Sequence, residues 1–73
     1  MAFVDVNSPM AGFIKQVLVA TGDTVEKGQE LLIIESMKME IPVESTDSGT
    51  VADVVAVVGT SADEGQLLLR LEV

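Results

Sequence analysis

Gly22-Asp23-Thr24-Val25-Glu26-Lys27-Gly28-Gln29-Glu30-Leu31-Leu32 returns in altered form as Gly59-Thr60-Ser61-Ala62-Asp63-Glu64-Gly65-Gln66-Leu67-Leu68-Leu69, an offset of 59 − 22 = 37 positions in a chain of 73 residues. The same offset pairs Gly12 with Gly49, Val6 with Val43, Ser8 with Ser45, Val17 with Val54 and Glu35 with Glu72. Ten identities fall in the 30 positions from 6 to 35, where average composition would give about two or three. The period occurs twice and fills half the chain. It therefore reads as a duplication inside one domain, with quasi-repeats 6–35 and 43–72, and not as a solenoid, which needs three or more units.

Each half reads as β structure, because Val, Ile, Leu and Thr run in short clusters separated by turn formers. The first half predicts strands at Phe3–Asn7, Phe13–Ala20, Thr24-Val25 and Leu31–Glu35. The second predicts them at Glu40–Glu44, Thr50–Val57, Ser61–Asp63 and Leu67–Val73. Val51, Val54, Val55 and Val58 have helical spacing, a signal for an amphipathic helix. Five of the eight residues from 51 to 58 are Val, however, and Val loses side-chain freedom in a helix. The strand is therefore preferred. The six glycines come in three pairs at the same offset. They are expected to supply positive φ at turns, with close backbone approach as the alternative for one or two. Eight short strands in two equivalent halves point to an all-β, two-layer sandwich or flattened barrel. Leu32, Ile34, Leu69 and Leu71 are the expected core, and the side taken by Ile33 is open because its counterpart is Arg70.

Composition removes whole classes of function. There is no Cys and no His, hence no zinc finger, thiol nucleophile or imidazole base. Four basic against twelve acidic residues give a net charge of −8. That opposes nucleic-acid binding, which depends on neutralising phosphates, and opposes anionic membrane surfaces. No apolar run approaches the ~20 residues of a membrane span. Met1-Ala2-Phe3-Val4-Asp5 lacks the pattern of a signal peptide, so a cytoplasmic location is expected. Gly22 and Gly28 are not followed by the Lys-Ser/Thr of a phosphate loop, and no spacing of carboxylates marks a catalytic pair or a calcium loop. Neither a catalytic residue nor a metal ligand is expected.

Between the repeats lies Glu35-Ser36-Met37-Lys38-Met39-Glu40. A short link between two antiparallel strands is a hairpin tip, so Lys38 is expected to project into solvent, with Glu35, Glu40 and Glu44 around it in sequence. Lys15, Lys27 and Arg70 read as ordinary surface charges, and most of the acidic residues as a solvated face.

Glu-Ser-Met-Lys-Met-Glu resembles the modification motif of the biotinyl/lipoyl attachment domain family, in its biotin carboxyl carrier form. The resemblance covers nearly the whole chain. Ser8-Pro9-Met10-Ala11-Gly12 is similar to the family's first turn, Gly22-Asp23-Thr24-Val25-Glu26-Lys27-Gly28-Gln29 to its Gly-Asp-x-Val-x-x-Gly-Gln segment, and Ser48-Gly49-Thr50-Val51 to the turn and strand after the modified hairpin. Ser36 replaces the frequent Ala, and Gly59-Thr60-Ser61-Ala62 replaces a second Gly-Asp-x-Val. The constant offset leaves no room for an inserted thumb loop, which implies the thumbless type.

The resemblance implies a flattened barrel of two four-stranded antiparallel sheets, the lipoyl/biotinyl barrel-sandwich hybrid. It implies that Lys38 carries biotin as an amide, attached by a biotin protein ligase from biotinyl-adenylate. A free lysine amine has a pKa of about 10.4 and must be neutral to attack, so the ligase would supply the deprotonation. The carried group would then move a carboxyl group between a biotin carboxylase and a carboxyltransferase of a biotin-dependent enzyme of the acyl-CoA carboxylase class. The domain itself would catalyse neither step and would be monomeric in isolation. Met37 and Met39 would either offer adaptable apolar contact to partners or anchor the turn to the core. Glu35, Ser36 and Glu40 would be read by the ligase. Lipoate on Lys38 is the alternative, although Met37 and Met39 differ from the Asp-Lys-Ala usual in lipoyl domains; an unmodified interaction module is a third reading. For a domain cut from a longer eukaryotic chain, the location implied is the mitochondrial matrix.

Overall fold

The computed structural model describes residues 2–73. Its strands are β1 (Phe3–Asn7), β2 (Gly12–Val17), β3 (Thr24–Val25), β4 (Glu30–Ser36), β5 (Met39–Glu44), β6 (Gly49–Val54), β7 (Ser61–Ala62) and β8 (Leu67–Glu72), with no helix among the described residues. They form two four-stranded antiparallel sheets, ordered β1-β8-β6-β3 and β5-β4-β2-β7. The expected all-β architecture of two four-stranded sheets is therefore the observed one. Moving each strand label of one sheet by half the chain produces the other sheet, and each sheet takes two strands from each half. The halves are interlocked and cannot be two separate folding units.

Hydrogen bonds across the duplication show how. Ser8 N–H donates to the Gln66 carbonyl at 2.8 Å, and Gly65 N–H donates to the Ser8 carbonyl at 2.8 Å. In the equivalent place Ser45 N–H donates to the Gln29 carbonyl at 2.8 Å, and Gly28 N–H to the Ser45 carbonyl at 2.7 Å. Ser8 and Ser45 are both buried. Each satisfies its hydroxyl by donating to a carbonyl two residues on, Met10 at 2.6 Å and Asp47 at 2.5 Å, which removes the penalty of an unpaired buried polar group.

Leu32, Ile34, Leu69 and Leu71 are fully buried, as expected; burying such a side chain stabilises by about 1.5–3 kcal/mol. Ile33 and Arg70 are half-buried on the outer faces. Leu31 and Leu68 are also fully buried, which strict strand alternation would not allow next to Leu32 and Leu69. The reason is a bulge. Register passes from Glu30↔Glu44 to Leu32↔Val43, leaving Leu31 as the extra residue, and from Val6↔Leu69 to Asn7↔Leu67, leaving Leu68 extra. An extra residue re-aims the strand locally, so two consecutive leucines enter the core in each half. Lys15 and Ala52 are the extra residues of a second equivalent pair of bulges.

β7 and β8 each end one residue earlier than predicted, and two strands end three residues early. β2 stops at Val17 and β6 at Val54. Beyond β6, the amides of Val55 and Ala56 both donate to the single Leu68 carbonyl at 2.9 Å, so the regular ladder ends there. Val55, Val57 and Val58 are left exposed outside the strand. The second-half departure at Thr60 preserves its turn: the Ala20 amide donates to Asp23 Oδ2 at 2.9 Å in the first half, whereas Thr60 Oγ1 donates to the Val57 carbonyl at 2.7 Å in the second.

Candidate functional site

β4 and β5 pair from Glu30↔Glu44 to Ser36↔Met39, which leaves Met37 and Lys38 as a two-residue turn. Their φ angles are +52° and +65°. Positive φ at both central residues is the mark of the type I′ turn, whose twist matches that of the flanking strands. Asn-Gly is the usual sequence for it; a residue with a Cβ loses roughly 1–2 kcal/mol in this conformation. Here the hairpin below imposes it. Ile34 is fully buried and Val43 nearly so, and they hold the register that allows only two residues at the tip. Exchanging Met37-Lys38 for Asn-Gly is therefore expected to raise stability by about 1–2 kcal/mol, measured by urea denaturation; an unchanged or lower midpoint would remove strain from this description.

The tip presents its side chains to water. Met37 is 92% exposed and Met39 61%, so neither anchors the turn to the core. Lys38 is exposed and makes no hydrogen bond or ion pair among the described residues. Ser36 is half-buried at the end of β4.

Glu35 and Glu40 face each other across the ladder, one pair below the tip. Like charges directly opposite destabilise a sheet. Lys15, from the neighbouring β2, resolves the conflict: its Nζ lies 2.6 Å from Glu40 Oε2 and 3.3 Å from Glu35 Oε2. The two carboxylates expected around Lys38 are thus committed to Lys15, and Glu44 pairs in register with Glu30 at the opposite end of the hairpin. In the sequence alone Lys15 reads as an ordinary surface charge. Its separation of 20 and 25 residues from the two glutamates carries no local pattern, and only the β2–β4–β5 register brings the three together.

The Glu40 hydrogen bond, then that from Glu35, and the charge of both carboxylates raise the Lys15 pKa above its ordinary 10.5, with desolvation acting in the opposite direction. A group whose pKa is raised on folding contributes stability below its unfolded pKa and loses it as pH rises through the folded value. The contribution of Lys15 is therefore complete at neutral pH and lost above about 10.5. Lys15→Met is expected to flatten part of the alkaline fall in stability, read from melting temperatures between pH 9 and 12 (a span of roughly 3 units around that pKa). An identical alkaline slope in the variant would show that the pair is without energetic effect.

A family model described as "Biotin-requiring enzyme" matches residues 4–71. The biotin/lipoyl attachment protein of Bacillus subtilis (strain 168) is 48% identical over 66 residues, which are 90% of this chain and 90% of that protein. The mitochondrial propionyl-CoA carboxylase alpha chain of Homo sapiens is 43% identical over 65 residues, 89% of this chain and 9% of that one. Among solved structures, the urea carboxylase of Kluyveromyces lactis superposes with a TM-score of 0.92 at 30% identity, over 99% of this chain and 6% of that one. The chain thus spans nearly all of the small Bacillus protein and a small fraction of each carboxylase.

Proposed function

The chain belongs to the biotinyl/lipoyl attachment domain family, and from that premise we propose that it is a biotin carboxyl carrier modified on Lys38. The observation that carries the reading is the position of Lys38: an exposed primary amine at the tip of a two-residue turn, without a partner among the described residues. The tip fits an amide-linked group on chemical grounds. The amine projects from a rigid ladder, the acidic neighbours are occupied by Lys15, and exposed Met37 and Met39 offer soft apolar contact to more than one partner surface.

In this reading the roles divide cleanly. Lys38 Nζ attacks the acyl carbon of an adenylate presented by a biotin protein ligase, the amide bond forms and AMP leaves. Glu35, Ser36 and Glu40 sit on the strands immediately below, within the surface a ligase must cover to reach the tip. Bound biotin would supply the site that carries a carboxyl group. The chain supplies a fixed base and a long flexible arm, which raises the local concentration of the carried group at a partner's active site. Carboxylase chains contain the matching domain, which supports a biotin carboxylase and a carboxyltransferase, of acyl-CoA class, as the enzymes served.

The direct test is an intact mass after co-expression with a biotin ligase and feeding with biotin, followed by peptide mapping. One biotinyl group on Lys38 is expected. No added mass, with the ligase active on a control substrate, would overturn the biotin reading. Lipoate is then the second reading, favoured by the near full-length match to a protein named as a biotin/lipoyl attachment protein; the same experiment with a lipoate ligase decides it.

A further inference from the structure

We propose that Met37 and Met39 form an oxidation switch on the attachment site: their conversion to sulfoxides by a hydroperoxide slows modification of Lys38, and reduction restores it. The inference rests on Lys38 as the attachment point. The chain has no Cys, His, Trp or Tyr, so the methionine thioethers are its readily oxidised groups. Of the four methionines, Met1 lies outside the described residues and Met10 is half-buried. Met37 and Met39 are 92% and 61% exposed, and they flank Lys38 on both sides. The most accessible oxidisable groups among the described residues therefore stand beside the reactive amine.

Methionine oxidation commonly damages a protein because it puts a polar group into a core. Here it spares the fold. The core is built from Val, Ile, Leu and Ala, with no methionine among the described residues. The positive φ at Met37 and Lys38 is imposed by the ladder below, from Ile34↔Ile41 to Ser36↔Met39, and not by the Met37 side chain, which stands in water. Oxidation thus changes the chemistry of the tip and leaves its shape.

The step balances with the hydroperoxide as sole co-reactant. The thioether sulfur attacks the terminal peroxide oxygen, an S–O bond forms and the O–O bond breaks. The sulfur gives up an electron pair and is oxidised, and the peroxide is reduced. The proton of the transferred hydroxyl passes to the departing oxygen, which leaves as water when the oxidant is hydrogen peroxide. The sulfoxide is polar and chiral, and it replaces soft apolar contact with a strong hydrogen-bond acceptor on each side of Lys38. A ligase that covers the tip must then desolvate two dipoles where it would have met two thioethers, which is unfavourable. The amine itself is untouched, so the effect falls on binding of the carrier and not on the chemical step.

The test uses the unmodified chain, dilute hydrogen peroxide, and a biotin ligase added after catalase has removed the peroxide. Peptide mapping is expected to find Met37 and Met39 oxidised well before Met10, with the melting temperature unchanged. Biotinylation of the oxidised chain is expected to show a KM raised about tenfold, equivalent to about 1.4 kcal/mol, and a kcat nearly unchanged. Treatment with both methionine sulfoxide reductases, one for each epimer, should return KM to its starting value. In Met37→Leu/Met39→Leu, peroxide should leave the rate of modification as it was before treatment. Oxidation of Met10 as fast as Met37 would overturn the selectivity on which the switch depends. An unchanged KM in the mapped sulfoxide form, or an equal loss of rate in the doubly substituted variant, would overturn the switch with the attachment intact. Absence of a biotinyl group on the untreated chain would instead overturn the attachment reading, and the switch with it.

Discussion

Lys38→Arg is expected to abolish attachment of either prosthetic group and to leave the fold intact. Arginine keeps the charge, a similar apolar stem and the positive φ that the turn demands of position 38. It lacks a primary amine, and its guanidinium stays protonated at any workable pH, so no nucleophile remains at the tip. Because the side chain is exposed and has no hydrogen bond or ion pair among the described residues, the change in stability should stay within about 0.5 kcal/mol, the range of ordinary surface substitutions. For a domain of this size that is a shift in melting temperature of up to about 4 °C. The measurement is an intact mass of the variant after co-expression with the ligase, beside a thermal melt. Undiminished mass gain mapped to Lys15 or Lys27 would sink the assignment of Lys38. Lys15 is a poor substitute, since its amine is held between two carboxylates.

Gly49→Val is expected to be the most damaging of the glycine substitutions, although Gly49 has an ordinary φ. A Cβ there would run into the Glu72 carbonyl oxygen and lie 3.2 Å from the Glu72 carbonyl carbon. Both are backbone atoms of β8, which pairs with β6 at Thr50↔Glu72. Relief requires the two strands to separate. Overpacking typically costs about 1–3 kcal/mol and occasionally more, and a branched side chain against fixed backbone belongs at the upper end. Gly59 presents the opposite case. Its φ is +90°, and nothing lies within 4 Å of its ideal Cβ, so Gly59→Ala costs only the conformational strain, about 1–2 kcal/mol. Net stability at ~0.05–0.15 kcal/mol per residue amounts to roughly 4–11 kcal/mol for this chain, so a loss of about 3 kcal/mol is a large share of it. Urea denaturation of the two variants tests the order. A smaller loss for Gly49→Val than for Gly59→Ala would refute the close-approach role.

The two roles of glycine show where sequence reading stops. The offset that pairs the six glycines is visible in the letters alone, and four of them, Gly22, Gly28, Gly59 and Gly65, do have positive φ. Gly12 and Gly49 are instead places where two strands come too close for a side chain: a Cβ on Gly12 would be 2.6 Å from Ile34 Cγ2 and 2.7 Å from the Glu35 carbonyl oxygen. All three pairs share the one offset, so the spacing could not tell the two roles apart. The same holds for the valine-rich segment after Gly49. Its composition correctly favours a strand over a helix, yet the strand ends at Val54 because of where the Leu68 carbonyl lies.

What the sequence determined by itself was the duplication, the all-β class, the outline of the core and the position of Lys38 between the halves. Each of these follows from local composition and periodicity, which the chain carries whatever its partners in space. The tertiary structure alone decided the type I′ tip, the outward setting of Met37 and Met39, the capture of Glu35 and Glu40 by Lys15, and the bulges that send Leu31 and Leu68 inward. All of these depend on register or packing between strands. A bulge or a one-residue slip re-aims side chains without altering the local pattern of residues, so only the assembled sheets could settle them.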